Sequence, residues 1–450
     1  MLPSVCHQRC LGILRDLVRI DTTNPPGNET AAARYLANLF GAAGIASEIV
    51  EPQLGRGSII ARLKGTGEGK PLMLMGHLDV VAADSADWDE EPFGAVVRDG
   101  FLWGRGSTDN KHLIAVEATI LLALREAGAH LKRDVLFIGA ADEEHGGRMG
   151  MGWLARERRE LFDVAGAINE GGGSALEVGD KRYYTCQTGE KGVCRTVWTA
   201  RAPGGHGSSP RADISTAKLV RALSRLGDGY VRPHLTATMR AGLTRIARDQ
   251  PERAANRVMR LLDQGKLDEA LSALGLMADQ TTRTRSLLFD TAGITGLAAG
   301  DPDSINVIPQ QARGYVDGRI LPGQTREGYL QTLRGLAGEE VEIDVYADQY
   351  SPGIESSADT ALYRTIEEVV MARCPGAQVV PWLCGGATDA KHLIPLGVPV
   401  YGFIPTPPLP EGVMAAGAHA ANERLWLDHL PFMLDMLYDI TVRFCLGNTI

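Results

Sequence analysis

The segment Asp134–Gly147 reads DVLFIGAADEEHGG. Val135, Leu136, Phe137 and Ile138 form a short apolar run bounded by turn residues, the pattern of a central parallel strand buried on both faces. The run passes straight into an acidic turn, Asp142-Glu143-Glu144, closed by Gly146 and Gly147. In open α/β sheets the chemistry collects just past the carboxyl ends of such strands. Two adjacent glutamates at that place repel each other unless something positive sits between or beside them. The segment therefore predicts a strand that delivers a carboxylate pair to a functional site, and directs attention to what the chain supplies as partners.

At 450 residues the chain exceeds one ordinary core, so two domains or one domain carrying an inserted module are expected. An apolar fraction of 44% with 22% charged residues is that of a globular protein, and 53 glycines imply many tight turns. A net charge of −9 leaves no basic footprint for nucleic acid or for an anionic membrane surface. The seven cysteines are scattered and never form Cys-x-x-Cys, which suits free thiols in a reducing compartment. The start, MLPSVCHQRC, has no charged segment followed by an apolar core, and no uninterrupted apolar run is long enough to span a bilayer. A cytoplasmic location is the resulting expectation.

Around the central strand the chain alternates helix and strand. Helices are expected at about Gln8–Arg19, Glu29–Ala43, His112–Ala127 and Gly150–Arg159, with strands at Ser58–Leu63, Leu72–Met75, Val135–Ala141 and Val164–Ile168. Near Gly192 the texture changes to β-α-β-β-α-β, the split βαβ pattern, with a charged helical stretch at about 231–282 inserted after its first helix. From Ser351 the α/β texture returns. The expected architecture is thus a discontinuous α/β domain, residues 1–191 and 349–450, interrupted by a smaller α+β module at 192–348.

Five features of the outer domain fall at strand ends or in loops: His77-Leu78-Asp79, Asp109, the pair Glu143-Glu144, Glu170 and His419. Two imidazoles with several carboxylates suit a borderline metal such as zinc, and convergent negative side chains need cations to offset their repulsion. These residues and their order resemble the co-catalytic di-zinc hydrolases that include aminoacylase, carboxypeptidase S, glutamate carboxypeptidase, succinyl-diaminopimelate desuccinylase and acetylornithine deacetylase. The resemblance implies a zinc-peptidase-like catalytic domain with a ferredoxin-like lid and dimerisation domain. It implies two zinc ions, with cobalt or manganese as alternatives. His77 and Glu170 would bind one metal, Glu144 and His419 the other, and Asp109 would bridge them. Asp79 would orient His77, and Glu143 would be the general base acting on the water shared by the metals. Spacing alone leaves open which of Glu143 and Glu144 is base and which is ligand.

Further along, His206, set between glycines in Gly204–Ser209, resembles the histidine that reaches into the partner subunit's site and stabilises the oxyanion. Asn306 and Arg319 resemble substrate-binding residues, Arg319 offering a bidentate fork to a free α-carboxylate. Gly385, Gly386 and Thr388 resemble a loop that lines the substrate pocket. His112 and His145 are not required by the family pattern, and Asn110-Lys111-His112 departs from it. The implied activity is hydrolysis of an amide beside a C-terminal amino acid, in a small molecule or short peptide, by a homodimer joined through the lid. The enlarged lid is an alternative to that partner. Rival readings are desuccinylation or deacetylation of a biosynthetic intermediate, and a non-catalytic relative that binds peptides.

Overall fold

A computed structural model describes residues 1–446 apart from Pro210 and Met277. Val135, Leu136, Phe137 and Ile138 lie in the strand Arg133–Ala140 and are buried. Val135 and Phe137 face a core built with the helices Ser4–Arg19, Glu29–Ala42, Lys111–Glu126 and His429–Leu446. Leu136 and Ile138 face a second core on the opposite side, which includes Met151, Leu154 and Phe162. A strand covered on both faces explains an unbroken apolar run.

The strand belongs to a ten-stranded mixed sheet. It pairs in parallel with Gly69–His77 but antiparallel with Ser58–Leu63, so the expectation of parallel neighbours holds on one side only. Gly69–His77 pairs in parallel with Gly166–Asn169, which pairs in parallel with Val400–Gly402. Four adjacent strands therefore point the same way, and their carboxyl ends form one rim.

A separate five-stranded antiparallel sheet is built largely from Gly192–Arg201, Phe289–Ala299, Gln311–Ile320 and Glu342–Ser351, with Tyr230–Pro233 on its outer edge. The helices Ser215–Ser224 and Arg326–Ala337 cover one face through Leu219, Leu223, Tyr329 and Leu333, packed on Trp198 and Val316. This is the ferredoxin-like lid anticipated from the β-α-β-β-α-β order. The two sheets meet where Lys181–Glu190 of the large sheet runs directly into Gly192–Arg201 of the small one.

The inserted helices Ala237–Arg248, Glu252–Asp263, Leu267–Leu274 and Ala278–Ser286 do not extend the small sheet. Met239, Leu243 and Ile246 pack with Tyr183, Val380 and Leu383 of the large sheet. A Cβ on Gly242 would lie 2.3 Å from the carbonyl oxygen of Pro381, so the first of these helices approaches that sheet as closely as glycine allows. The insertion caps an edge of the large sheet. Among the described residues no helix is long and apolar enough to cross a membrane.

Candidate metal centre

Three of the parallel strands end at functional side chains. Gly69–His77 ends on His77, Arg133–Ala140 leads into Glu143 and Glu144, and Gly166–Asn169 is followed by Glu170. Adjacent strands lie about 4.8 Å apart, so these groups arrive side by side. The acidic turn folds back tightly: Asp142 adopts a left-handed backbone (φ 71°), Glu143–His145 form a single 3-10 turn, and Gly147 has φ 72°. A Cβ on Gly147 would sit 2.5 Å from Asp389 Oδ1 and 2.7 Å from His392 Nε2, so that position requires glycine on two counts.

Asp109 stands between the two imidazoles. Its Oδ1 is 3.0 Å from His77 Nε2 and its Oδ2 is 3.2 Å from His419 Nε2. Glu170 Oε2 lies 3.5 Å from His77 Nε2, and Glu144 Oε2 lies 3.1 Å from His419 Nε2. Donor atoms of His77, Asp109 and Glu144 all fall within 4.8 Å of one another, as do those of His77, Glu143 and Glu170. Imidazole nitrogens with carboxylate oxygens at this density are a donor set that zinc, cobalt or manganese accepts.

Electrostatics reflect the same crowding. Burial alone would lower the pKa of His77, but the charge of Glu170 and hydrogen bonds to Asp109, Asp79 and Glu170 hold it well above its usual value. His419 is raised to about 10 by its hydrogen bonds to Asp109 and Glu144. Asp109, which burial would raise, is lowered by the two imidazoles. Protonated imidazoles thus balance the carboxylates, and divalent cations would supply that positive charge while freeing both ring nitrogens as donors. Burial pushes Glu143 well above the usual carboxylate range, the Lys391 ammonium 3.5 Å away opposes the shift, and the charge of Glu170 adds to it.

Several residues support the cluster; Asp79 is the one expected from the sequence, whereas Asn24 and Glu423 carry no motif. Asp79 is fully buried: its backbone oxygen lies 2.9 Å from His77 Nδ1, and its carboxylate accepts from the N–H groups of Glu143 and Glu144 at 3.0 and 3.1 Å. Asn24, from a stretch readable only as a turn, donates to Asp79 at 2.8 Å and to Asp142 at 3.2 Å. Glu423 accepts from the N–H groups of Gly106, Thr108 and Asp109, from the Thr108 hydroxyl, and from Arg105 at 2.6 Å. One buried carboxylate thereby organises the loop that presents Asp109, from a position four residues after His419. Asn110, within the departure noted above, accepts from the His77 N–H at 3.1 Å. His112 is buried on the following helix, and burial lowers its pKa to about 4.

The lid residues are placed differently. His206 is exposed, and its Nδ1 lies 2.7 Å from the Ser208 hydroxyl rather than near any of the five clustered residues. It lies on a two-stranded ribbon, Gly205–His206 paired with Val307–Ile308, and the Asn306 carbonyl accepts from the Gly207 N–H at 2.6 Å. His206 and Asn306 are therefore neighbours on the ribbon, and among the described residues no hydrogen bond or ion pair links either to the cluster. Arg319 pairs with Asp317 at 2.6 Å on the face of the small sheet that its helices leave open. Gly385 and Gly386 are exposed in the loop after Gln378–Cys384. The Thr388 hydroxyl is buried, donating to Glu190 at 2.9 Å and accepting from Asn169 at 3.1 Å, so it braces the loop behind Glu170.

Residues 73–443 match the profile of Peptidase family M20/M25/M40. The chain belongs to that family. It is accordingly a hydrolase of the M20 peptidase and amidohydrolase type. Among curated proteins it is 28% identical to the N-fatty-acyl-amino acid synthase/hydrolase PM20D1 of Bos taurus, over 88% of this chain and 80% of the relative. It is 25% identical to the probable carboxypeptidase S-like 2 of Dictyostelium discoideum, over 85% and 73% respectively. The M20 metallo-carboxypeptidase Sso-CP2 of Sulfolobus solfataricus shares the fold, with a TM-score of 0.71 at 18% identity, covering 96% of this chain and 98% of that one.

Proposed function

We propose that this M20 hydrolase cleaves the amide joining an acyl group, or a short peptide, to a C-terminal amino acid with a free carboxylate. The observation that carries the reading is Asp109, whose two oxygens each face a different imidazole, with Glu144 and Glu170 completing one side each. On this reading His77 and Glu170 would hold one zinc ion, Glu144 and His419 would hold the other, and Asp109 would be shared by both; cobalt or manganese suits the same donors. Two such ions, when bound, would polarise the scissile carbonyl and lower the pKa of a water towards neutrality.

The protein's own groups do the rest. Asp79 fixes the His77 ring and, through two backbone N–H groups, the turn that bears Glu143. Glu143 takes the proton of the attacking water as its oxygen bonds to the carbonyl carbon, then returns it to the amine nitrogen as the C–N bond breaks. Lys391, beside Glu143, favours the carboxylate form that accepts the first proton and that the second transfer restores. Arg319 receives the substrate carboxylate once its fork leaves Asp317. His206 and Asn306 would donate to the developing oxyanion. Because neither is bonded to the cluster of its own chain, we assign them to the cluster of a second copy, in a homodimer joined through the lid. A reducing, cytoplasmic setting suits seven free cysteines, five of them buried.

The test is release of free amino acid from a mixed pool of N-acyl amino acids and dipeptides by zinc-reconstituted protein, with Glu143→Ala in parallel. Release abolished in the variant supports the reading. No release from any member with two metals bound overturns it.

A further inference from the structure

The acidic turn that bears Glu143 and Glu144 starts at Asp142, and every polar atom of Asp142 is engaged. Its N–H donates to Glu29 Oε1 at 3.2 Å, and its carbonyl accepts from the Gly147 N–H at 2.6 Å. Oδ1 accepts from Arg56 Nη2 at 2.7 Å and from Asn24 Nδ2 at 3.2 Å, and Oδ2 accepts from the Met149 N–H at 2.9 Å. The same Arg56 grips Glu29 with two nitrogens, Nη2 at 2.8 Å from Oε1 and Nε at 2.9 Å from Oε2. The same Asn24 amide donates to Asp79, whose carboxylate takes the N–H groups of Glu143 and Glu144. All five side chains, from Glu29 through Arg56, Asp142 and Asn24 to Asp79, are buried. Gly27 (φ 86°) closes over the ion pair: a Cβ there would lie 2.7 Å from Arg56 Cζ and 2.8 Å from Glu29 Oε2. Asn24, Glu29 and Arg56 all precede residues 73–443, the segment that carries the family match.

Among the described residues, Arg56 is the only cationic side chain paired with Glu29 or with Asp142. Without it two buried carboxylates would stand uncompensated, and a buried charge that loses its partner moves or takes up a proton. The start of the acidic turn therefore depends on one guanidinium, and the turn is tied onward to Asp79 by one amide. We infer that Arg56, together with Glu29 and Asn24, is a positioning residue of the hydrolytic site: it fixes Asp142, and through Asp142 the placement of Glu143 and Glu144. The inference rests on the roles proposed above for those two glutamates, as base and as metal ligand. The planar fork is what the place demands, since one ammonium cannot face both oxygens of Glu29 and Asp142 at once. An ion pair that only stabilised the fold would change how many molecules are folded. A positioning pair changes what each folded molecule does.

The experiment compares the parent with Arg56→Lys and Asn24→Ala, each zinc-reconstituted and purified as folded protein by size exclusion. Steady-state kinetics use whichever N-acyl amino acid or dipeptide the parent turns over, with rates expressed per folded, metal-loaded molecule. Arg56→Lys is expected to lower kcat about 10–100-fold, and Asn24→Ala about tenfold, with KM within about twofold of the parent in both. Asn24→Ala leaves the ion pair in place, so it decides alone should Arg56→Lys not fold. Unchanged kcat per folded molecule, with only the thermal midpoint lowered, overturns the inference and leaves a structural ion pair. A raised KM with kcat unchanged also overturns it, because the clasp would then serve substrate binding. Competition with a chelator and the visible spectrum of the cobalt-substituted proteins give a readout without turnover. If the parent turns over no compound, weaker metal binding and a changed spectrum in the variants keep the clasp, acting on Glu144, and remove the hydrolase reading instead. Unchanged binding and spectrum in that case overturn the clasp.

Discussion

The catalytic rim and the lid ribbon hold their functional groups in opposite ways. On the rim, His77, Asp79 and Glu423 are buried, and each is fixed by hydrogen bonds from segments distant in sequence. On the ribbon, His206 is exposed and its imidazole is hydrogen-bonded to Ser208, within its own loop. Preorganised groups act without reorganising at the moment of reaction, and a shell of buried partners is what preorganises them. On the proposed reading the rim works as it stands, whereas the ribbon has to be carried to its target. That difference separates what one chain completes by itself from what awaits a second copy or a lid movement.

The strongest attack on the rim is Glu143→Gln, which keeps the shape and removes the proposed base. We expect kcat to fall by about 10²–10⁴ with metal content unchanged, read by steady-state kinetics and metal analysis together. An active variant would make Glu143 a structural residue. The ribbon is attacked by His206→Ala, expected to cost about 10²–10³ in kcat. Mixing that variant with Glu143→Ala sharpens the contrast. If the ribbon serves the partner's cluster, half the sites of a mixed dimer regain both groups and activity returns. If mixtures stay inactive, the ribbon serves its own chain by lid closure.

A third change tests whether the rim depends on its supports. Glu423 touches no expected ligand side chain, yet it gathers three N–H groups and a hydroxyl of the loop that presents Asp109. Glu423→Gln should lower metal affinity by about 10–100-fold in competitive chelator titration. An unchanged affinity would mean the loop holds its form without that carboxylate.

The rim was legible because its groups sit where sequence periodicity changes. Val135–Ile138 announces a buried strand, and the abrupt Asp142-Glu143-Glu144 that follows has no reason to be there in a simple turn. Of its supports, Asp79 was legible beside His77, and Glu423 and Asn24 were not. Glu423 and the Asp109 loop are more than three hundred residues apart, and nothing local distinguishes a carboxylate that gathers N–H groups from one that faces water. The strand Lys181–Glu190 was missed for a related reason. Its buried Thr185, Gln187 and Thr188 replace the apolar alternation with polar side chains, which bond to Ser174, Glu190 and Thr238 respectively. Helical periodicity identified the insertion, but period alone cannot say which sheet receives it. The apolar stripe of Met239, Leu243 and Ile246 goes to the large sheet because Tyr183, Val380 and Leu383 offer the complementary surface there.

The junction between the two regions supplies the smallest test. Glu190 and Lys191 are consecutive and point to opposite sides. Glu190 accepts from the Thr388 N–H and hydroxyl on the rim side, while Lys191 donates to the carbonyls of Ser286 and Phe289 and to the Thr291 hydroxyl on the lid side. Burial raises the Glu190 pKa to about 7, against hydrogen bonds from Thr388 and the charge of Lys391. Its native pKa lies above that of an unfolded glutamate, so the folded state binds the extra proton. The associated stability is fully present below about pH 4.5 and is lost as pH rises through about 7. Glu190→Gln keeps an acceptor for Thr388 and cannot ionise, so urea unfolding should show the variant gaining on the parent between pH 5 and pH 8 by roughly 1–2 kcal/mol. A constant difference across that range would mean that Glu190 keeps its charge and that the rim side of the junction is wetter than its burial implies. The boundary between the preorganised rim and the delivered ribbon would then lie closer to the metal centre than the Glu190–Lys191 step.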